Sequence, residues 1–378
     1  MKKIFITMMM AVVATASFGQ NNPKIANEVK ATKDYNAGVE LINSKLSELS
    51  DEEKGKAYDA LYKLLKPEFD KSLEAASTGN TAAVNNKVVM NAINIAALCQ
   101  KYASKDAAKA IAEVTPARPM MINAANSTED NAEKLQYSLC YINTAAEGDQ
   151  LIGLANFFAA FSCYQSDNFS EAAAYAKGAF NDDRVKEQAE QIYRVSYERN
   201  MKTKQDSLNY AQALKELDPE KYFVNICNLY IDMGEKELAH KMVDEALEKN
   251  PNNKFAYFMR ASENNENKKY DEAIANFKKV IEIDPEFIYG YFNLALCYGN
   301  KADDINVTKA DKNGRLFGDD LKACNEAYTG AITNLEKVRE MDPNHETISN
   351  WPMQLRMYYN RVGQKDKADE ISKMLGDM

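Results

Sequence analysis

Histidine, tryptophan, glycine and proline are scarce in this chain of 378 residues, with 2, 1, 15 and 9 copies. His240 and His345 stand far apart, and no cysteines pair at zinc spacing. Neither HExxH, GxSxG nor a phosphate loop occurs. These absences remove the chemistries that leave a sequence signature, so no catalytic residue, metal or cofactor is expected. With so few glycines and prolines there is no Gly-, Ser- or Pro-rich linker, and no stretch alternates at the period of a strand. Positive charge is short too, with 47 Lys and Arg against 56 Asp and Glu and a net charge of −9. Phosphate attraction needs a basic stripe, and none is visible, which argues against nucleic acid as a partner. Beyond the first residues, no run is apolar enough to cross a bilayer as a helix.

What is present is helical periodicity. From Lys254 to Pro285 the chain reads as two helices joined by a polar turn. Tyr257, Phe258 and Ala261 recur at helical steps, and polar residues crowd from Ser262 to Lys269, where the first helix should end. Ala273, Ile274, Phe277, Val280 and Ile281 then mark a second apolar stripe from about Tyr270. Asp284-Pro285 closes it, because the residue before proline is pushed out of the helical region. Each helix buries one stripe, so a single pair makes no core alone and repetition is predicted. The prolines at 219, 251, 285 and 343 each follow Asp or Asn, at separations of 32, 34 and 58 residues. The last is one repeat plus an insertion.

A 34-residue helix-turn-helix period with these residues resembles the tetratricopeptide repeat. The central unit supplies Tyr257, Ala261, Ala273, Phe277 and Pro285. The upstream unit supplies Phe223, Cys227, Gly234, Ala239, Ala246 and Pro251. A downstream unit carries Tyr291, Leu294, Ala295, Ala331, Leu335 and Pro343, and a last one Leu355, Tyr359, Gly363 and Ala368. Arg260 and Asn264 depart from the usual pattern. The resemblance implies an all-α fold, a right-handed superhelical stack of antiparallel helix pairs. It further implies a concave groove lined by the first helix of each pair. Carried over residue by residue, the groove would take Phe255, Phe258, Ser262 and Asn265, then Tyr289, Phe292, Leu296 and Asn300. Lys221, Val224, Asn228 and Asp232 precede them, and Asn350, Met353, Met357, Asn360 and Arg361 follow. Val224, Phe258 and Phe292 stand where some family members place a carboxylate-clamping lysine, and Asn228 alone matches a clamp asparagine. An apolar or amide-rich partner segment is expected instead.

Taken in order, residues 1–19 read as an export signal: Lys2 and Lys3, an apolar run from Ile4 to Ala16, then Ser17-Phe18-Gly19 before a cut at Gln20, with a cut after Ala16 the alternative. Its loss takes the net charge of −9 to −11. The first cysteine is Cys99, so no lipid anchor follows the cut. The expectation is an exported protein, periplasmic or extracellular. Asn21 to about Thr32 reads as a flexible leader. Residues 20–150 read as helical without clear phase, either eroded repeats or a separate cap. Helices are expected over Asp34–Glu48, Asp51 to about Ala76 with Pro67 kinking or dividing it, Thr81–Ser104, Lys105–Val114 and Ser127–Ala146. Pro116 and Pro119 break the pattern. Residues 151–378 read as repeats, with pairs at Leu151–Gln165 and Phe169–Phe180, then Val185–Arg199 and Gln205–Leu217.

The insertion, at about 301–317, reads as a polar loop, with Asp319 or Asp320 capping a helix from about Leu321. Read as a calcium loop, it places Lys309 at the first ligand position, which opposes binding. Six cysteines in an exported chain invite disulfides. Cys99, Cys140, Cys163, Cys227 and Cys297 sit in helical stretches beside apolar neighbours, which favours buried filler. The function these features imply is a non-enzymatic scaffold of the cell envelope that binds a protein or peptide in the groove. The alternative is an exported helical enzyme or carbohydrate-handling component without a recognisable motif. Genetic neighbourhood, an envelope-assembly or a sugar-utilisation cluster, would separate them.

Overall fold

A computed structural model describes residues 24–376, all α-helical apart from short 3-10 turns and loops; no strand occurs among the described residues. The expected signal, residues 1–19, lies outside them. By packing, the chain divides into two units between Ala213 and Leu214.

The first unit contains α1 (Ile25–Thr32), α2 (Tyr35–Lys45), α3 (Asp51–Ser77), α4 (Asn86–Lys101), α5 (Ala107–Val114), α6 (Pro119–Ser127), α7 (Asn131–Thr144), α8 (Ile152–Gln165), α9 (Phe169–Gly178) and α10 (Lys186–Arg199). The unit boundary falls inside α11 (Lys204–Leu217). The starts follow the capping rules. Asp34 accepts the Ala37 N–H at 2.8 Å, and Asp130 accepts those of Ala132 and Glu133. Ser50 and Glu53 form a reciprocal capping box ahead of α3.

Three expectations change here. Asn21–Thr32 is not a loose leader from residue 25 on: α1 buries Ile25 and Val29, one turn apart, against α3. A stripe of two residues is too short to stand out as periodicity. Of the two alternatives at Pro67, kinking or dividing the helix, division does not occur: α3 runs unbroken for 27 residues. Burial of Leu65 and Phe69 on either side offsets the lost backbone hydrogen bond. Pro119 does not break a helix but begins one, α6, at the first helical position, where its missing N–H would have had no partner. Ser127 accordingly closes α6, and the next helix starts at Asn131.

The second unit contains α12 (Phe223–Asp232), α13 (Lys236–Lys249), α14 (Lys254–Glu266), α15 (Tyr270–Ile283), α16 (Ile288–Lys309), α17 (Gly318–Met341), α18 (Trp351–Arg361) and α19 (Lys365–Gly376). Each first helix packs on its own second helix, each second helix packs on the next first helix, and the first helices of neighbouring pairs also touch: α12 with α14, and α14 with α16. α14 ends at Glu266, inside the polar stretch from Ser262 to Lys269.

The turns inside the pairs share one geometry. Gly234, Lys268 and Gly363 adopt φ of 77°, 59° and 77°, in the left-handed region. The following residue donates its N–H to the carbonyl five back: Glu235 to Tyr230, Lys269 to Asn264, Gln364 to Tyr359, at 2.7 to 2.8 Å. That is the Schellman closure, which satisfies the last carbonyls of the helix. Asp167, with φ 57°, closes α8 in the same way. Between pairs, the Asp or Asn before each proline does the work. Asp218, Asn250 and Asp284 accept the N–H two residues on, at 3.0 to 3.1 Å. Asp342 instead accepts from Glu346, Thr347 and Ile348, and its carbonyl accepts the Trp351 indole at 2.9 Å. This folds the longer 342–350 connection against the buried Trp351.

The insertion is not a loop over 301–317. α16 has 22 residues and α17 has 24, and the loop is confined to 310–317. Ala302 stands where the neighbouring units turn, and it lies buried within the helix. The Cys324 thiol donates to its carbonyl, Tyr328 donates to Asp303 at 2.5 Å, and Asn306 donates to Tyr328 at 3.0 Å. Phe317 holds the cap position without a side-chain bond, while Asp319 and Asp320 lie in the first turn. Asp311 turns inward to accept the Asn313 and Arg315 N–H groups.

Candidate functional site

The second unit holds a cavity of about 460 Å³ where α12, α13 and α14 meet. Val224, Cys227 and Ile231 of α12, Val243 of α13, and Phe258 and Met259 of α14 supply its apolar lining. Small residues make room for it. Cys227 and Ala239 are buried where α12 crosses α13, so the helices approach closely while larger side chains line the space between pairs. Asn228 and Ser262 join the lining. Ser262 donates to its own helix at the Phe258 carbonyl.

A hydrogen bond and an ion pair tie α13 to α14 along this cavity. His240 meets Glu263 at 2.5 Å, and Arg260 meets Asp244 at 2.6 Å. Both pairs are partly exposed, so their contribution to stability is small. Their chief effect is geometric, holding the second helix of one pair against the first helix of the next. Burial pushes the Cys227 thiol up to about 12, which leaves it a protonated, unreactive filler at neutral pH. All six cysteines are free and buried.

Of the groove residues that the repeat resemblance implies, the structure brings some together and separates others. Val224, Asn228, Asp232, Phe258 and Ser262 share the cavity just described. Phe255 faces a different and larger hollow, of about 1120 Å³, beside the loops 218–222 and 250–253. Phe292 is buried in the core with Ala295, Trp351 and Tyr358, so its ring is packing rather than lining. Leu296 is half-buried against the same core. Tyr289 is exposed. Asn265 and Asn300, one repeat apart, are joined by a hydrogen bond of 3.2 Å.

Phe287 was missed by sequence reasoning. Its ring meets Phe255, Phe258 and Tyr289 at centroid distances of 5.8 to 5.9 Å. Lys254 lies over both Phe255 and Phe287 and pairs with Asp284. That hydrogen-bonded ammonium holds the Asp284 carboxyl below the usual range. The available signal was position: Phe287 follows the Asp-Pro closure by two residues, at the end of the repeat where the next first helix enters.

Residues 264–301 match the family described as TPR repeat. The matched segment runs from the end of α14 through α15 into α16. No curated protein is similar enough to the chain to count as a match. Among solved structures, human IFIT1 as a dimer with m7Gppp-AAAA is 15% identical, with 95% of this chain and 74% of that chain covered and a TM-score of 0.41. Yeast Tom70 is 14% identical, with 94% and 92% covered and a TM-score of 0.27. YrrB, titled a TPR protein with an unusual peptide-binding site, is 18% identical, with 60% and 86% covered and a TM-score of 0.21. At such low superposition scores, nothing of theirs is transferred to this chain. The matched segment carries a tetratricopeptide repeat, and equivalent turns and Asp/Asn-Pro closures recur in phase around it.

Proposed function

We propose that the chain is a non-enzymatic adaptor that holds a segment of a protein partner in the cavity between α12, α13 and α14, and that it acts in the cell envelope after export. The observation that carries the binding reading is the cavity itself. It has an apolar lining, is edged by amides and charged groups, and is bordered by helices that two cross-contacts tie together at a fixed spacing. A partner side chain entering it would bury its area against Phe258 and Ile231, while Asn228 stands at the edge to hydrogen-bond a peptide backbone. Preformed walls lower the ordering cost of binding. The envelope reading rests on the N-terminal sequence alone, a lysine pair, a short apolar run and small residues before Gln20.

The test is recovery of binding partners from an envelope extract by the wild type and by Phe258→Glu, with circular dichroism to confirm that both are folded. Phe258 is half-buried at the cavity, so a carboxylate there opposes an apolar occupant directly. Selective loss of a specific partner in the variant is expected, and equal recovery refutes the site. Phe292→Glu is not a second probe, because it would place a charge in the core.

A further inference from the structure

The charges around this cavity do not cancel, and we infer from them that its occupant is a segment carrying a lysine or arginine next to an apolar side chain. This rests on the cavity being the binding site. Of the charged residues around it, His240 and Glu263 are tied to each other, as are Arg260 and Asp244. Asp232 and Glu266 have no ion partner among the described residues and are exposed. Lys236 is also unpaired, but it stands in the first turn of α13.

The two acids occupy equivalent places. Asp232 is the last residue of α12 and Glu266 the last of α14, 34 residues apart. Neither helix has a basic residue in its last turn. Helix C-termini carry the negative end of the peptide dipoles, so stability favours cations there and disfavours acids. Asp232 and Glu266 therefore add to the field of two parallel helix ends instead of opposing it. Cys227, Ile231 and Met259 lie within one or two turns of these acids on the same helices, which sets an apolar surface beside an electronegative edge. A basic side chain that extends its charged end to Asp232 and Glu266 lays its methylene stem along that apolar surface. A neighbouring apolar side chain then fills the cavity against Phe258 and Val243.

The experiment probes an array of immobilised synthetic peptides of randomised sequence with the full-length chain. The proteins compared are the wild type, an Asp232→Asn/Glu266→Gln double variant, and Phe258→Glu. Wild type should retain peptides enriched in Lys or Arg adjacent to Leu, Ile or Phe, and added salt should weaken the binding. The double variant should bind those peptides about tenfold more weakly. It should also unfold at slightly higher urea, since two unfavourable helix-end acids are gone. A merely structural role for the acids would move stability and binding in the same direction. If retained peptides are neutral or acidic, or the double variant keeps the wild-type set at equal affinity, the charge inference falls. The cavity stands in that case as long as Phe258→Glu abolishes retention. If wild type retains nothing, or folded Phe258→Glu retains the same set, both fall.

Discussion

The two units bury their apolar residues in different ways. In the first, one contiguous cluster runs from Ile25 of α1 to Phe158 of α8 and draws on every helix from α1 to α8, with a small separate cluster at Ala179, Val185 and Ala189. In the second, buried residues fall into separate clusters: one around Phe223 and Met259, one around Ala273 and Phe277, and one around Trp351 and Tyr328. A helix that serves a shared core must match many neighbours at once, and its sequence need not repeat. A helix that serves only the pair before and the pair after meets the same environment each time, so its sequence keeps a period. The stretch up to about residue 150 therefore shows no phase, while the second unit announces itself by recurring Asp/Asn-Pro closures.

The difference predicts how damage spreads. Phe69→Ala and Trp351→Ala each remove a fully buried aromatic, at about 3–5 kcal/mol. Native-state hydrogen exchange should show Phe69→Ala loosening α1 to α8 together. Trp351→Ala should loosen α17 to α19 while amides of α12 and α13 keep their protection. Uniform loss throughout the second unit would erase the contrast between a shared core and nearest-neighbour stacking.

A smaller effect tests how tightly neighbouring pairs meet. Gly299 on α16 lies against Tyr358 on α18, and a methyl there would overlap the tyrosine hydroxyl and ring. Gly299→Ala should cost about 1–3 kcal/mol in urea unfolding despite its better helix propensity. A neutral or stabilising result would mean that the pairs have room to slide.

The smallest effect concerns the turn. Lys268 holds a left-handed backbone that Gly234 and Gly363 adopt without a side chain in the way. Lys268→Gly should stabilise by about 0.5–1 kcal/mol from relief of that strain, less the small loss of the exposed Lys268–Asp304 pair. A destabilised variant would show that Lys268 contributes through its side chain and not through the turn.

Much of the second unit was legible before any coordinates. Asp-Pro closures, small residues such as Ala261 and Ala273, and aromatics such as Phe277 are local signals whose spacing repeats. The lengthened pair was legible only as extra residues. Its polar surface reads as loop, because Ala302 and Cys324 are the apolar part of a stripe that is otherwise charged. For the candidate site, a repeat register says which face a residue is on but not how far neighbouring pairs close over it. Phe292 shows the limit: its position matches that of Phe258, yet the longer and bulkier neighbours of its pair bury it.

By itself the sequence determined helix type, the closures at the Asp/Asn-Pro steps, and the 34-residue period, because each depends on contacts within a few residues. Tertiary structure alone decided which aromatics became core, where the cavity lies, and which carboxylates were left without partners. Those outcomes depend on side chains one or more repeats apart meeting in space, and no local pattern encodes that distance.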